Sequence, residues 1–144
     1  MSFALEIKRW VNDTSKSMAK KHETITFELF RSVILQTPVG NPDNWKYPDS
    51  APDGYVGGRL RANWQISSNT PASGEVDAID PTGRNTVGDV QQFLQGLDFT
   101  NDVKVFLTNN LPYAHRIEFE GHSGQAPEGM VRKNLIRITN NLRG

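Results

Sequence analysis

The sequence predicts an α+β fold: a long N-terminal helix, a small antiparallel sheet with a short helical insertion, and a C-terminal helix. Three observations carry this. Residues 2–36 place apolar side chains at three- and four-residue steps with no proline or glycine among them. Short runs in the middle of the chain alternate apolar and polar side chains. Residues 131–142 return to steps of four, three and four. The 144 residues read as one domain, 1–144, with an extended loop insertion at 41–57. A chain of that size buries roughly 68–70% of its unfolded surface, enough for a core without covalent staples.

In the first element, Phe3, Ile7, Trp10, Thr14, Met18, Ile25, Leu29 and Val33 share one helical face. Asn12–His22 is polar, which leaves room for a bend near Thr14–Ser17, and Pro38 and Gly40 stop the helix. If continuous, it runs roughly 50 Å at 1.5 Å per residue, longer than a domain about 30 Å across. One end is therefore expected to project or to pack on a neighbouring subunit.

Residues 37–67, TPVGNPDNWKYPDSAPDGYVGGRLRANWQIS, follow. A loop longer than about 12–15 residues in a compact domain is functional or disordered more often than incidental. Gly54–Arg59 lacks the lysine and hydroxyl of a phosphate-binding loop and reads as a hinge. Beyond it Leu60, Ala62, Trp64 and Ile66 alternate with Arg61, Asn63, Gln65 and Ser67, predicting a half-buried strand. Glu75–Ile79 predicts a weaker strand and Thr86–Gln95 a short helix stopped by Gly96. Val103, Val105 and Leu107 predict a third strand. Tyr113–Glu120 fits both periods, with a short helix favoured. Pro127 suits the first position of a last helix whose apolar face is Val131, Leu135, Ile138 and Leu142.

Sixteen basic and sixteen acidic residues balance, and mean hydropathy is −0.55. Net charge thus argues for no nucleic-acid or membrane partner. Residues 1–36 nevertheless carry six basic and four acidic side chains, and 127–144 four and one, leaving six and eleven for the middle. Such a split suits head-to-tail contact between copies. With no cysteine, disulfides and thiolate metal sites are excluded. No run of apolar residues is long enough for a membrane span or a secretory signal, so the expectation is a soluble chain made in the cytoplasm.

His115, Glu118, Glu120 and His122 invite a metal or acid–base reading, but the spacing is not HExxH and no apolar pocket is evident to raise a carboxyl pKa. They read as surface hydrogen-bonding residues. No cofactor and no enzymatic activity is expected. Arg59 and Arg61 lie near Tyr55 and Trp64, a basic–aromatic grouping of the kind that binds single strands. Trp64 shares the apolar side with Leu60 and Ile66 and reads as core. Lys16, Lys20 and Lys21 form a second basic cluster, sufficient for non-specific contact with DNA.

Two separated segments resemble the tail-completion, or neck, proteins that join head to tail in tailed bacteriophages. The first is TPVG at 37–40 with GGRLRANWQIS at 57–67, similar to the family's compact TPV-D-TG-R-L-R-x-NW. The second is LTNNLPYAHRIEFEGHSGQAPEGMVRKNL at 107–135, similar to a strand, N-N-x-P-Y-A, an acidic–aromatic step, G-x-S and a Q-A-P-x-G-M-V helix start. Together they cover about a third of the chain, in the family's order. Two departures stand out: about 17 extra residues at Asn41–Gly57, and one more residue in the Phe119-Glu120-Gly121 step. The resemblance implies a non-enzymatic virion protein of the neck, built in the host cytoplasm, forming a homo-oligomeric ring around the DNA path, a hexamer being one candidate. Implied partners are other neck proteins, such as the tail terminator and head-completion or connector proteins, and packaged DNA through non-specific contact. On that reading Trp45, Tyr47, Tyr55, Arg59, Arg61, His122 and Gln125 are candidate subunit or partner contacts, and Lys16, Lys20 and Lys21 candidate DNA-channel contacts. The alternatives are a tail terminator or minor tail protein, and a DNA-binding accessory module.

Overall fold

A computed structural model describes residues 3–120, 124–126 and 128–143. Helix α1 (Phe3–Gln36) is followed by two 3₁₀ turns, Pro42–Asn44 and Pro48–Ser50. Then come a single helical turn α2 (Arg59–Ala62), strand β1 (Gln65–Ser68), helix α3 (Arg84–Gln95), strand β2 (Val105–Thr108), and helices α4 (Ala114–Phe119) and α5 (Val131–Arg143). The α+β class holds, with helix dominating.

Helix α1 is unbroken over 34 residues, about 51 Å long, so the polar Thr14–Ser17 stretch does not interrupt it. Only its C-terminal half is covered. Phe30, Val33 and Ile34 enter the core, whereas Ile7, Trp10, Val11 and Met18 lie exposed. Helix α3 explains where cover ends. Gly83, at its start, abuts Ile34 and Leu35, while Gln91, Leu94 and Gln95 lie beside Lys20–Phe27, so α3 runs antiparallel along α1. The chain then turns, and Phe99 meets His22 edge to face, with ring centroids 4.8 Å apart. The predicted projecting end is the segment upstream of that contact.

Leu60 and Trp64, Val90 and Leu94 of α3, Ala114 and Ile117 of α4, and Ala126 and Met130 before α5 complete the core around Ile34. Fully burying a side chain such as Ile34 or Leu94 stabilises the fold by about 1.5–3 kcal/mol each. The sheet has two antiparallel strands in the register Gln65↔Thr108, Ile66↔Leu107, Ser67↔Phe106, Ser68↔Val105. Ile66, Val105 and Leu107 turn toward the core.

Four local expectations are corrected. The alternation over 60–66 does not make one strand: Arg59–Ala62 is a helical turn, and β1 starts only at Gln65. The reason is that Arg61 and Asn63 are drawn to backbone carbonyls of other segments instead of lining the wet face of a strand. The second strand at Glu75–Ile79 is absent, because Val76 pairs with a side chain instead of a neighbouring strand. Helix α5 begins at Val131, not at Pro127, which lies outside the described residues. Its inner stripe is Val131, Asn134 and Ile138; Leu135 is exposed, as is Ile136. Asn134 takes the inner position by donating from Nδ2 to the Met130 carbonyl at 2.6 Å.

Candidate functional site: a bonded knot, a closed loop and an open helix face

The end of α1 exposes carbonyl groups that a helix cannot satisfy itself. Arg61 supplies the donors. Its guanidinium donates from Nε to the Thr37 carbonyl (2.8 Å), from Nη2 to Leu35 (2.6 Å) and from Nη1 to Pro81 (2.7 Å). The planar fork of arginine serves three acceptors at once, which lysine's single ammonium cannot do in the same geometry. Burial lowers the Arg61 pKa and the nearby Asp80 carboxylate opposes that shift. Proposed from sequence as a partner contact, Arg61 is committed to internal carbonyls.

Thr37 is fully buried. Its hydroxyl donates to the Val33 carbonyl (2.6 Å) and accepts the Trp64 indole N–H (2.8 Å), so a helix end and the start of the sheet share one oxygen. Asn63 beside it donates from Nδ2 to the carbonyls of Arg59 (2.8 Å) and Val76 (3.0 Å) and accepts the Val76 N–H at Oδ1 (2.8 Å). Its amide thus replaces a strand partner for Val76. Gln125 does the same for Val39, accepting its N–H at Oε1 (3.2 Å) and donating to its carbonyl from Nε2 (3.0 Å). The buried Asp80 carboxylate accepts the Thr86 N–H and hydroxyl, both at 2.7 Å, inside the first turn of α3. Buried polar groups must find partners of this kind.

Glu118 completes the knot and corrects its reading as a surface residue: it is 7% exposed. Its carboxylate accepts the backbone N–H groups of Met130, Val131 (2.9 Å) and Arg132 (2.9 Å), and the Arg132 guanidinium lies 3.2 Å away. A carboxylate on the N-terminus of a helix is favoured by the dipole and by the free N–H groups. Burial alone would raise its pKa. The backbone N–H groups of Arg132, Val131 and Met130 outweigh that, and the carboxyl is held below its ordinary value. Gly129 is required there. Its φ is +87°, and a β-carbon would come within 2.7 Å of the Glu118 carbonyl oxygen.

The loop 41–56 leaves and re-enters this knot at one point. A side chain on Gly57 would collide with the backbone of Gly40, so the two ends of the loop touch. Within it, Asn41 Oδ1 accepts the Asp43 N–H (3.1 Å), and Trp45 meets Tyr55 edge to face at 5.1 Å. Trp45 is half-buried by that contact, whereas Tyr47 stands 67% exposed with Lys46 over its ring at 5.5 Å. Arg59, just past the loop, pairs with Glu75 at 3.1 Å on the surface, a contact of modest energy. His122 lies outside the described residues.

Lys16, Lys20 and Lys21 are exposed near the middle of α1, where the cover by α3 ends, and Lys20 comes within 3.8 Å of Glu23. An open groove of about 570 Å³ runs along the N-terminal half of α1, bounded by Trp10, Val11, Met18, His22 and Phe99. The loop aromatics follow the C-terminal end of α1 while the lysines lie at and before its midpoint, so they do not form one site. Thr37, Asn63, Asp80, Glu118 and Gly129 were not singled out from sequence as positioning residues. The signal for Thr37, Asn63 and Gly129 lay in TPVG, RANW and PEGM, whereas Asp80 and Glu118 stand in no such motif.

Among the described residues no helix is long and apolar enough to cross a membrane, and no group of three or more His, Asp or Glu is placed to hold a metal ion. Comparison with protein-family models, with curated proteins and with solved structures finds no match.

Proposed function

We propose that this chain is a non-enzymatic structural protein of the bacteriophage neck, which helps join the completed tail to the DNA-filled head as a ring around the DNA path. The observation that supports this reading most is where the family-like residues sit. The two segments that carry the resemblance, far apart in sequence, bond to each other and to themselves: Thr37 to Trp64, Arg61 to Thr37, Val39 to Gln125, and Glu118 to Met130 and Val131. These bonds hold the first segment together, join it to the second through Val39 and Gln125, and fold the second back on itself through Glu118.

Two further features favour assembly. About half of α1 projects with apolar side chains uncovered, which suits a subunit that is completed by neighbours. Lys16, Lys20 and Lys21 stand exposed at the start of that projecting segment, where they can meet packaged DNA without reading its sequence. Mass spectrometry of purified particles should find the chain as a virion component. Deleting its gene should leave filled heads and finished tails unjoined. Infectious, joined particles made without it would refute the proposal.

A further inference from the structure

We propose that the open groove on the N-terminal half of α1 receives the 41–56 loop of a second copy of this chain. This rests on the ring reading above and specifies which two surfaces meet. The groove is apolar at its centre, with Trp10 67% and Met18 66% exposed beside Val11 and Ala19, and it is floored by the His22–Phe99 pair. Apolar side chains this open, aligned on one helix face, mark a contact surface.

The occupant is chosen by charge, chemistry and reach. Residues 3–21 of α1 carry five basic and two acidic side chains, and the wall of Phe99 and Thr100 adds Asp98 and Asp102, which leaves the groove's surroundings net basic. By contrast, 41–56 carries three aspartates and one lysine. The loop also presents Tyr47, Tyr55 and Val56 to solvent, and aromatic side chains supply much of the energy of protein interfaces. Its competitor, the exposed Leu135 and Ile136 of α5, sits on a helix rich in arginine and lysine, which the basic α1 segment repels. The loop is already shaped: its ends touch at Gly40 and Gly57, Asn41 caps its first turn, and Trp45 packs on Tyr55. Docking such a loop costs little ordering entropy.

No residue of 41–56 lines the groove of its own chain, and the groove centre lies beyond the loop's reach, so the occupant is the loop of another molecule. Thr14, at the groove centre, and Gln36, where the loop departs, are 22 residues apart on one helix, roughly 33 Å. A sixteen-residue loop closed at its base reaches at most roughly 26 Å, and its two 3₁₀ turns shorten it further. Each copy then offers a groove at one end and a loop at the other, a heterologous contact that generates a ring when the rotation closes.

The chain has no cysteine, so introduced thiols report unambiguously. One variant carries Met18→Cys, a second Tyr47→Cys and a third Ile136→Cys. Pairs are mixed, oxidised and resolved by mass, both as free protein at millimolar concentration and in purified particles. The expected product is the M18C–Y47C heterodimer, lost in high salt and weakened by about tenfold or more when Trp10 is changed to Ala. Three results overturn the contact: M18C homodimers as the main product, which would mean two α1 helices pair face to face; M18C–I136C as the main product; or no M18C–Y47C product in either setting. Particles that contain the chain but lack the M18C–Y47C link refute this contact while leaving the neck assignment intact.

Discussion

The indole N–H of Trp64 is bonded to the hydroxyl of Thr37 at 2.8 Å, across 27 positions of sequence. Both residues are buried, and that single bond fastens the end of the long helix to the entrance of the sheet. Removing the hydroxyl with Thr37→Val strands a buried donor, which costs about 1–3 kcal/mol. Urea unfolding should show the full loss in T37V but less than the sum of the single losses in T37V/W64F, since the double variant leaves no orphaned N–H. Additive losses would show that the bond contributes nothing of its own.

Glu118 makes stability depend on pH. Its folded-state pKa lies below the ordinary carboxylate value, so its contribution is fully present above the unfolded pKa. It fades as pH falls from about 4.5 through the lower folded value. Glu118→Gln should destabilise the chain at neutral pH by about 1–3 kcal/mol and flatten stability against pH in that acid window. A wild-type and variant pair with parallel pH curves would show that the carboxylate does not carry the effect.

Gly129 leaves no room for substitution. Its positive φ and the nearby Glu118 carbonyl oppose even a methyl group, so Gly129→Ala should cost about 1–3 kcal/mol. The loss should be smaller in a Glu118→Ala background, where part of the crowding is gone. Thermal unfolding of the four variants checks this.

Deleting residues 41–56 and rejoining Val39-Gly40 to Gly57-Gly58 through a short glycine link should leave the fold intact. The loop's ends already touch, and none of its residues belongs to the core. Circular dichroism should be unchanged and the unfolding midpoint should move little, since shortening a surface loop has a small entropic effect. A large drop would mean that the loop supports the domain itself.

Changing Lys16, Lys20 and Lys21 together to Ala should weaken binding to duplex DNA equally for all sequences. If all three meet phosphates, the slope of log K against log salt should shrink by about 2.7. An unchanged slope would remove these lysines from any DNA contact.

The elements that were legible in the sequence are those set by neighbours in the chain. The 3–4 spacing without proline or glycine specified α1, and the same spacing marked α3 and α5. Alternation marked the cores of β1 and β2, and a short helix at 114–119 was favoured over a strand. The misread segments share one physical cause. Arg59–Ala62 looks like a strand by alternation, but Arg61 is drawn back to the Leu35 and Thr37 carbonyls and Asn63 to Val76, contacts that no local window contains. Glu118 appeared to be one of a pair of surface acids because the N–H groups it accepts lie 12–14 residues ahead.

By itself, then, the sequence determined the four longer helices, the α+β class and the unusual length of α1, because periodicity and helix-breaking residues act over a few neighbouring positions. Tertiary structure alone decided which half of α1 is covered. Helix α3 turns back along residues 20–35 and the chain closes over His22 with Phe99, which leaves Trp10 and Met18 in the open. It also decided that the long loop is pinched shut at Gly40 and Gly57. Burial depends on what distant segments bring to a face, and that information is absent from the face itself.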